Sequence, residues 1–285
     1  MKALRRAAVA VAAAATMFAA PTLTAHAITG GEPDGNQHPN VGMILFYEAD
    51  GRYRCTATLV SPTVLLTAAH CTAPTVGKTI VTFNTVIAYQ PPSGVPAAAN
   101  PAVGYVAADI ASRPDYYIGT PHTHPQYSDF KDLANWNDVG VIVLDRPVTG
   151  IAPASVAPLG TLDTIGRPNL AHTTVRIVGY GTEVRKPDVG PQKPTPQSFP
   201  LLRRYADAPG QKLTPQILQV NGNPNDTRGT GGSCFGDSGG PSFYKGVVVT
   251  VTSYGRTDNC RYIGGLQRVD ITGVASWLAT FGVRA

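Results

Sequence analysis

Residues 234–241 read Cys-Phe-Gly-Asp-Ser-Gly-Gly-Pro, and this octapeptide decides how the rest of the 285-residue chain is interpreted. A serine between glycines is either a turn residue or an exposed nucleophile. A serine hydroxyl becomes a useful nucleophile only when a neutral imidazole accepts its proton and a carboxylate orients that imidazole. The octapeptide therefore directs attention to the histidines and aspartates of the chain.

The order of the histidines excludes one class of hydrolase. The spacing Gly236-x-Ser238-x-Gly240 formally matches the nucleophile elbow of α/β-hydrolases, in which the catalytic histidine follows the serine along the chain. Here all six histidines, at positions 26, 38, 70, 122, 124 and 172, precede Ser238. The sequence also lacks the alternation of strands and helices that such folds require.

His70 and Asp138 are the best partners for Ser238. His70 lies just beyond the apolar run 63–66, where a strand end would expose it to a cleft. Asp138 begins an apolar run that ends at Leu144, where burial can hold a carboxylate against an imidazole. Asp145, at the other end of this run, is better suited to a turn. The alternative aspartates are Asp129 and Asp132.

Short apolar and β-branched runs separated by Gly, Pro and Asn predict an all-β protein. The predicted strands are Val41 to Phe46, Ala57 to Leu66, Thr79 to Ala88, Val139 to Leu144, Thr174 to Tyr180 and Val247 to Ser253. One helix is predicted from Ile271 to Phe281, with an apolar face formed by Val274, Trp277, Leu278 and Phe281. Long loops are predicted from Gln90 to Asp129 and from Glu183 to Pro200.

The N-terminus has the three parts of an export signal, residues 1–27, which end in Ala25-His26-Ala27. Its apolar run of roughly 14 residues is too short to span a bilayer, so we expect no membrane anchor. Removing it takes away three of the 23 Lys and Arg residues and none of the 18 acidic ones, so the net charge falls from +5 to +2. This balance argues against a nucleic-acid partner.

Four cysteines in an exported protein predict two disulfides, and spacing alone leaves all three pairings open. Their spacing includes no C-x-x-C, and His122 and His124 have no evident third ligand, so we expect neither a metal nor another cofactor. His38 and His172 lie in no motif. Asn225 begins a glycosylation sequon of a kind that is frequent by chance.

Three motifs in order, Thr67-Ala-Ala-His70-Cys71, Asp138-Val-Gly-Val-Ile-Val-Leu144 and Gly236-Asp-Ser238-Gly-Gly-Pro241, resemble the signatures of the chymotrypsin-like (trypsin-fold) serine proteases. Ile28-Thr-Gly-Gly31 resembles the mature N-terminus of that family. The resemblance implies two packed six-stranded antiparallel Greek-key β-barrels with a C-terminal α-helix. One peptidase domain, 28–285, would consist of barrels 28–149 and 150–285.

The resemblance also assigns roles at the site. Ser238 would be the nucleophile, His70 the general base and acid, and Asp138 the group that orients the imidazole. The backbone N–H groups of Gly236 and Ser238 would form the oxyanion hole. Cys55 would pair with Cys71, and Cys234 with Cys260. A new α-amino group at Ile28 would pair with Asp237.

The implied substrate pocket carries no charge. Counting six residues back from the nucleophile gives Gly232 at the floor, although Gly231-Gly232-Ser233 allows a one-residue slip. Gly255 and Gly264 would form the walls, on a strand that begins at Ser253. An open, uncharged pocket favours a large apolar or aromatic side chain.

These features predict a secreted, monomeric serine endopeptidase that acts on proteins or peptides and is open to protein inhibitors. The signal would be cleaved near Ala27-Ile28, unless a pro-segment Pro21 to Ala27 remains and requires an activator. Two alternatives stay open: a catalytically silent β-barrel binding protein, and an esterase on the same scaffold.

Overall fold

The computed structural model describes residues 28, 30–88, 94–184, 197–223, 227–229, 231–258, 260 and 262–284. The signal-like residues 1–27 and the sequon at Asn225 lie outside these ranges. The strands are β1 (Glu32–Pro33), β2 (Val41–Glu48), β3 (Gly51–Ser61), β4 (Val64–Thr67), β5 (Val76–Thr82), β6 (Tyr116–Thr123), β7 (Gly140–Leu144), β8 (Thr174–Gly179), β9 (Glu183–Val184), β10 (Gln197–Ser198), β11 (Arg204–Leu213), β12 (Ile217–Asn221), β13 (Pro241–Tyr244), β14 (Val247–Gly255) and β15 (Ile263–Arg268). The α-helices are α1 (Arg167–Leu170) and α2 (Thr272–Ala279), and three short 3₁₀ turns lie at Ala69–Cys71, Ala107–Ile110 and Leu162–Ile165.

The strands form two antiparallel barrels. The first is closed in the order β2-β3-β4-β7-β6-β5. In the second, the order β11-β12-β15-β14-β13-β8 closes because β8 pairs with β11 as well as with β13. The two-residue strands β9 and β10 pair separately. The all-β prediction with two six-stranded barrels and a terminal helix is therefore confirmed.

The N-terminal segment crosses from one barrel to the other. Strand β1 pairs with β11, so Glu32 lies opposite Tyr205 in the sheet of the second barrel. By sequence, β1 falls within the proposed first unit, 28–149. Residues 32 and 33 thus belong to the second barrel by their hydrogen bonds, and the first barrel begins with β2.

One predicted strand and one predicted loop differ from the structure. The run Ala57 to Leu66 is two strands, β3 and β4, because the chain turns at Pro62 and Thr63. The prediction that Gln90 to Asp129 is all loop is wrong, since β6 lies within it. Gly119 in β6 has no room for a side chain, because a Cβ there would lie 2.5 Å from the Val143 carbonyl oxygen.

An apolar cluster joins the two barrels to α2. Val139 and Val141 from the first barrel pack with Val251 from the second barrel and with Val274 and Leu278 of α2. Burying each such side chain contributes on the order of 1.5–3 kcal/mol. Trp277 and Phe281 are packed against this cluster, so the amphipathic face predicted for the helix is the face it uses.

Candidate active site

His70 and Asp138 form a doubly bonded pair at the ends of two strands. His70 lies in the 3₁₀ turn that follows β4, and Asp138 lies two residues before β7. The His70 backbone N–H donates to Asp138 Oδ1 at 2.9 Å, and His70 Nδ1 lies 2.8 Å from Asp138 Oδ2. A proton on Nδ1 makes this second contact a hydrogen bond and leaves Nε2 as the acceptor of the ring.

Asp138 is completely buried and has further partners from the second barrel. The Ser253 hydroxyl donates to Asp138 Oδ2 at 2.6 Å, and the backbone N–H of Asp138 donates to Gln267 Oε1 at 3.1 Å. Every hydrogen bond to the carboxylate comes from a group with a fixed position. The carboxylate is therefore held in a defined orientation.

The other aspartates considered from the sequence lie elsewhere. Asp129 pairs with Lys131 on the surface, and Asp145 pairs with Lys78. Asp132 is exposed and accepts hydrogen bonds within its own turn. Of these candidates, Asp138 is the one in contact with His70.

The segment 234–241 packs directly against the histidine loop. Gly239 has a positive φ of 74°, and a Cβ there would lie 2.0 Å from Thr67 Oγ1 and 2.7 Å from the backbone nitrogen of Ala68. Only glycine allows this approach. The residue after Ser238 thus contacts the chain two to three residues before His70, which brings the serine and histidine loops together.

Strand β3 holds the serine loop through Thr56, which the sequence analysis did not identify. The Thr56 backbone N–H donates to the Ser238 carbonyl at 2.8 Å, and its hydroxyl donates to the Gly236 carbonyl at 2.9 Å. The same hydroxyl accepts the Tyr180 N–H. The only local signal is that Thr56 follows a cysteine, which says nothing about a contact 180 residues away along the chain.

Three backbone N–H groups of the loop make no hydrogen bond within the described residues. Those of Asp237, Gly239 and Gly240 donate to carbonyl oxygens, and that of Cys234 donates to Asp237 Oδ2. The N–H groups without an acceptor among the described residues are those of Phe235, Gly236 and Ser238. Gly236 has a φ of 95°, which a residue with a side chain rarely adopts.

Asp237 is buried beneath this loop. It accepts hydrogen bonds from the backbone N–H groups of Gly181, at 2.7 Å, and Cys234, at 2.8 Å. Burial raises the pKa of Asp237 to about 7, and these hydrogen bonds together with the charge of Arg54 only partly offset the burial. Ile28 is also completely buried, and in the uncleaved chain its nitrogen is an amide.

Beside Ser238 lies a cavity of about 180 Å³. Its lining residues are Ser233, Cys234, Phe235, Ser238, Thr252, Ser253, Tyr254, Gly255, Thr257, Asp258 and Cys260. Of the residues predicted for the pocket, Ser253 and Gly255 line this cavity, whereas Gly232 and Gly264 do not. Gly232 packs on Gly222, and the Ser233 hydroxyl lies 3.5 Å from where a Cβ of Gly264 would be. The exposed Asp258 is the one carboxylate in the lining.

Both disulfides implied by the resemblance are present. Cys55 is bonded to Cys71, next to His70, and Cys234 is bonded to Cys260, across the cavity from Ser238. The one cluster of possible metal ligands among the described residues is Cys55, His70 and Cys71, and its two sulfurs are consumed by the disulfide.

His122 and His124 pack against the C-terminal helix. Their rings lie 5.3 Å from Phe281 and 4.9 Å from Trp277, measured between centroids. Burial lowers the pKa of His124, so this ring is neutral near pH 7. His38 instead contacts Asp34, near the N-terminus.

Comparison with known proteins identifies the family. The sequence profile named Trypsin matches residues 28–278. The chain belongs to the trypsin family. It is 29% identical over 231 residues to the trypsin of Saccharopolyspora erythraea, covering 80% of this chain and 86% of that protein. It is 27% identical over 240 residues to brachyurin of Leptuca pugilator, covering 81% of this chain and 88% of that protein.

Solved structures support the same fold at lower sequence identity. HL collagenase superimposes with a TM-score of 0.60 at 16% identity, covering 91% of this chain and 97% of that one. An inactivated protease paralogue of the scabies mite superimposes with a TM-score of 0.57 at 17% identity, covering 88% of this chain and 98% of that one. At these identities the superpositions show a shared fold.

As a member of the trypsin family, this protein is a serine-type endopeptidase with protein or peptide substrates. Its two disulfides and its two-barrel fold agree with that family. Among the described residues, no helix is both long enough and apolar enough to cross a membrane.

Proposed function

We propose that the protein is a secreted endopeptidase that hydrolyses peptide bonds with Ser238, His70 and Asp138. The observation that carries this proposal is the Asp138 carboxylate, buried and bonded to both the backbone N–H and Nδ1 of His70. That arrangement leaves Nε2 free to accept the Ser238 proton as the hydroxyl attacks the substrate carbonyl. The imidazolium then protonates the leaving amine, and water hydrolyses the acyl-enzyme by the same steps. These are the steps established for the Ser-His-Asp triad of the trypsin family.

The unused N–H groups of Gly236 and Ser238 support an oxyanion hole. Negative charge develops on the carbonyl oxygen in the transition state, and donors that are already oriented stabilise it without reorganisation. Removing one such donor costs about 3–4 kcal/mol of transition-state stabilisation. The hydrogen bonds from Thr56 to the two carbonyl groups of the same loop favour a rigid arrangement.

The pocket is proposed to favour an apolar or aromatic side chain before the cleaved bond. Gly232, Gly255 and Gly264, the residues predicted for the floor and the walls, add no charge. The hydroxyl of Ser233 lies toward Gly264, and it is polar but neutral. Asp258 lies in the lining as an exposed residue, so solvent screens its charge.

Activation is proposed to follow from cleavage between Ala27 and Ile28. The new α-amino group would pair with Asp237, a buried carboxylate whose raised pKa reflects the lack of a full counter-charge in the uncleaved chain. Signal cleavage at this bond would export and activate the protein in one step. Sequencing the N-terminus of freshly secreted protein tests this, and an inactive species that begins at Pro21 would contradict it.

Labelling with a serine-directed phosphonate tests the triad. We expect the secreted protein to be labelled once, and we expect both Ser238→Ala and His70→Ala to lose peptidase activity by roughly 10⁶-fold. If the wild-type protein is not labelled and behaves like His70→Ala, the triad assignment is wrong and a silent binding protein is favoured. Hydrolysis of esters without any peptide cleavage would favour the esterase alternative.

A peptide library tests the pocket. We expect cleavage after large apolar or aromatic residues, and Asp258→Asn should leave this preference unchanged. A dominant preference for Lys or Arg would refute the pocket assignment. If Asp258→Asn abolished that preference, Asp258 would be its source.

A further inference from the structure

Two glutamines of the second barrel hold the chain that leads into Asp138. Gln267 Oε1 accepts the Asp138 N–H at 3.1 Å, and Gln216 Oε1 accepts the Asn137 N–H at 3.4 Å. Gln216 Nε2 also donates to the Ala134 carbonyl at 3.2 Å. We call Gln216 and Gln267 the glutamine clamp. It makes three hydrogen bonds to the backbone of a five-residue segment that belongs to the other barrel.

The orientation of the Gln267 amide is fixed by its neighbours. Gln267 is completely buried in β15. Its Nε2 lies 3.1 Å from the Gln216 carbonyl and 3.1 Å from Gln216 Oε1, both of which are acceptors. Only the N–H₂ end of the amide can face two acceptors, so Oε1 must face the Asp138 N–H. The glutamine clamp is thus one connected network rather than two independent side chains.

The segment bound by the glutamine clamp has an unusual backbone conformation. Asn137 has a positive φ of 44°, in the left-handed region, and the Val139 N–H donates to the Asn137 carbonyl at 2.7 Å. This hydrogen bond forms a tight three-residue turn centred on Asp138. Such backbone persists where surrounding groups fix it, and it is often found where a side chain has to be aimed.

Trp136 adds a side-chain contact beside the glutamine clamp. Its indole N–H donates to Ser253 Oγ at 2.9 Å, and the Ser253 hydroxyl lies 2.6 Å from Asp138 Oδ2. Because the indole occupies the oxygen as a donor, the Ser253 proton is left for the carboxylate. The same segment therefore contacts the second barrel through its backbone and through its indole.

From these contacts we infer that Gln267 and Gln216 are positioning residues for the proposed reaction. The glutamine clamp fixes the turn at Asp138 and so aims the carboxylate at His70. It also ties that turn to the barrel that carries Ser238, so the base and the nucleophile keep a constant separation. The inference rests on the proposed triad, and neither glutamine contacts the substrate or the reacting atoms.

The test compares Gln267→Met with wild type after active sites are counted by phosphonate titration. Methionine keeps the length of the side chain but accepts no strong hydrogen bond from the Asp138 N–H. We expect kcat per titrated site to fall roughly ten- to hundredfold, because a misplacement of about 1 Å in an active site has effects of this size. We expect KM for a short peptide to change little.

The pH profile separates positioning from general damage. A carboxylate that is no longer aimed at the ring stabilises the imidazolium less, so the acid limb of kcat/KM should move to lower pH in Gln267→Met. Among the described residues, Tyr127 interacts electrostatically with Asp138, and Glu48 interacts with His70 and is the same in every variant compared. Burial, with the nearby Asp138 and Asp129 carboxylates adding to it, raises the pKa of Tyr127, which therefore stays neutral over this range.

Two control variants separate lost positioning from lost stability and from the Gln→Met substitution itself. Leu266→Ala, at the neighbouring residue of β15, removes a buried side chain from the core of the second barrel without touching the glutamine clamp. Gln126→Met makes the same chemical change at an exposed glutamine. Leu266→Ala should lower the melting temperature and leave the acid limb in place, and Gln126→Met should change neither.

The double variant tests whether the network is one unit. Gln216→Met should give a smaller loss than Gln267→Met, and the combined loss should be less than the product of the two. If kcat and the acid limb of Gln267→Met match wild type, or match Leu266→Ala, the inference is overturned. Failure of wild type to react with the phosphonate would instead overturn the proposed triad, so the two outcomes are distinguishable.

Discussion

The two barrels hold their shares of the site by different means. On the first barrel, the His70 and Asp138 side chains are bonded directly to each other at the ends of β4 and β7. On the second barrel, Ser238 lies in a glycine-rich turn that rests on a buried carboxylate, Asp237. The first barrel thus contributes a direct side-chain pair, and the second contributes a loop packed on a single buried carboxylate.

The glycines of the serine loop and its neighbour show how closely the backbone packs on Asp237. A Cβ at Gly181 would lie 2.2 Å from Asp237 Oδ2, so the backbone lies directly on the carboxylate. Gly236 and Gly239 both have positive φ, and glycine is the residue with the most conformational freedom to lose. A loop of this kind is formed only when its surroundings compensate for that loss.

The largest expected effect comes from disrupting the His70–Asp138 pair on the first barrel. Asp138→Asn keeps the shape of the side chain but replaces one carboxylate oxygen with N–H₂, so the imidazole no longer has a carboxylate to fix its tautomer. We expect kcat to fall by about 10⁴-fold, the value that this family's template gives for the change. Steady-state kinetics at pH 7 on titrated enzyme measures it.

Asp129→Asn is the matched control for that variant. Asp129 pairs with Lys131 on the surface, and its loss should leave kcat unchanged. An equal loss in both variants would mean that Asp138 has no special role.

A smaller effect is expected from removing the buried carboxylate beneath the serine loop of the second barrel. In protein that begins at Ile28, Asp237→Asn removes the proposed partner of the α-amino group. Loss of one partner of a buried pair costs about 3–5 kcal/mol, so kcat/KM should fall by roughly two to four orders of magnitude. The rate of phosphonate labelling should fall in parallel because the oxyanion loop is no longer held.

Asp207→Asn serves as its control, since Asp207 pairs with Arg176 at a half-exposed position on the same barrel. N-terminal sequencing of each sample ensures that only chains starting at Ile28 are compared. If Asp237→Asn retains full activity, the buried pair does not order the loop.

The smallest effect concerns the seam between the barrels. Burial favours a raised pKa for Asp34, but hydrogen bonds from His38 and the ion pair with the buried Arg203 outweigh it and lower the pKa to about 2. The unfolded value is near 3.8, so the stabilisation is complete above that pH and is lost as pH falls toward 2. We expect this pH-dependent contribution to the free energy of unfolding to be about 2 kcal/mol.

Denaturant unfolding of wild type and Asp34→Asn between pH 7 and pH 2.5 measures that contribution. The difference between the two proteins should shrink as the pH falls. Asp145→Asn, which removes a partly exposed pair with Lys78, should give a difference close to zero at every pH. A difference for Asp34→Asn that does not change with pH would contradict the sign of the shift.

Much of the fold follows from local pattern, and the exceptions have physical causes. The runs that became β2, β7, β8 and β14 are apolar because they face a core. Strand β11 was not predicted because its sequence, from Arg204 to Leu213, contains Asp, Pro, Gly and a buried Arg. Its place is set by pairing with β8 and β12, which no local property of these ten residues encodes.

The candidate site shows the same difference between local motifs and contacts that are distant along the chain. Ser238, His70 and Asp138 lie in short motifs whose order along the chain is informative. Gln267 carries no such signal, since its partner Asp138 is 129 residues away and the contact exists only once both barrels are formed. Trp136 and Ser253 are separated by 117 residues. The proposed reacting groups thus come from sequence motifs, whereas the proposed positioning groups could be found only in the structure.

The two disulfides have a practical consequence for preparing the protein. Cys55–Cys71 closes the loop of His70, and Cys234–Cys260 closes the loop of Ser238, so each bond lies beside one proposed reacting group. A preparation from a reducing cytoplasm would contain four thiols in place of the two disulfides. A thiol count on the denatured protein is therefore a more sensitive measure of sample quality than a circular dichroism spectrum.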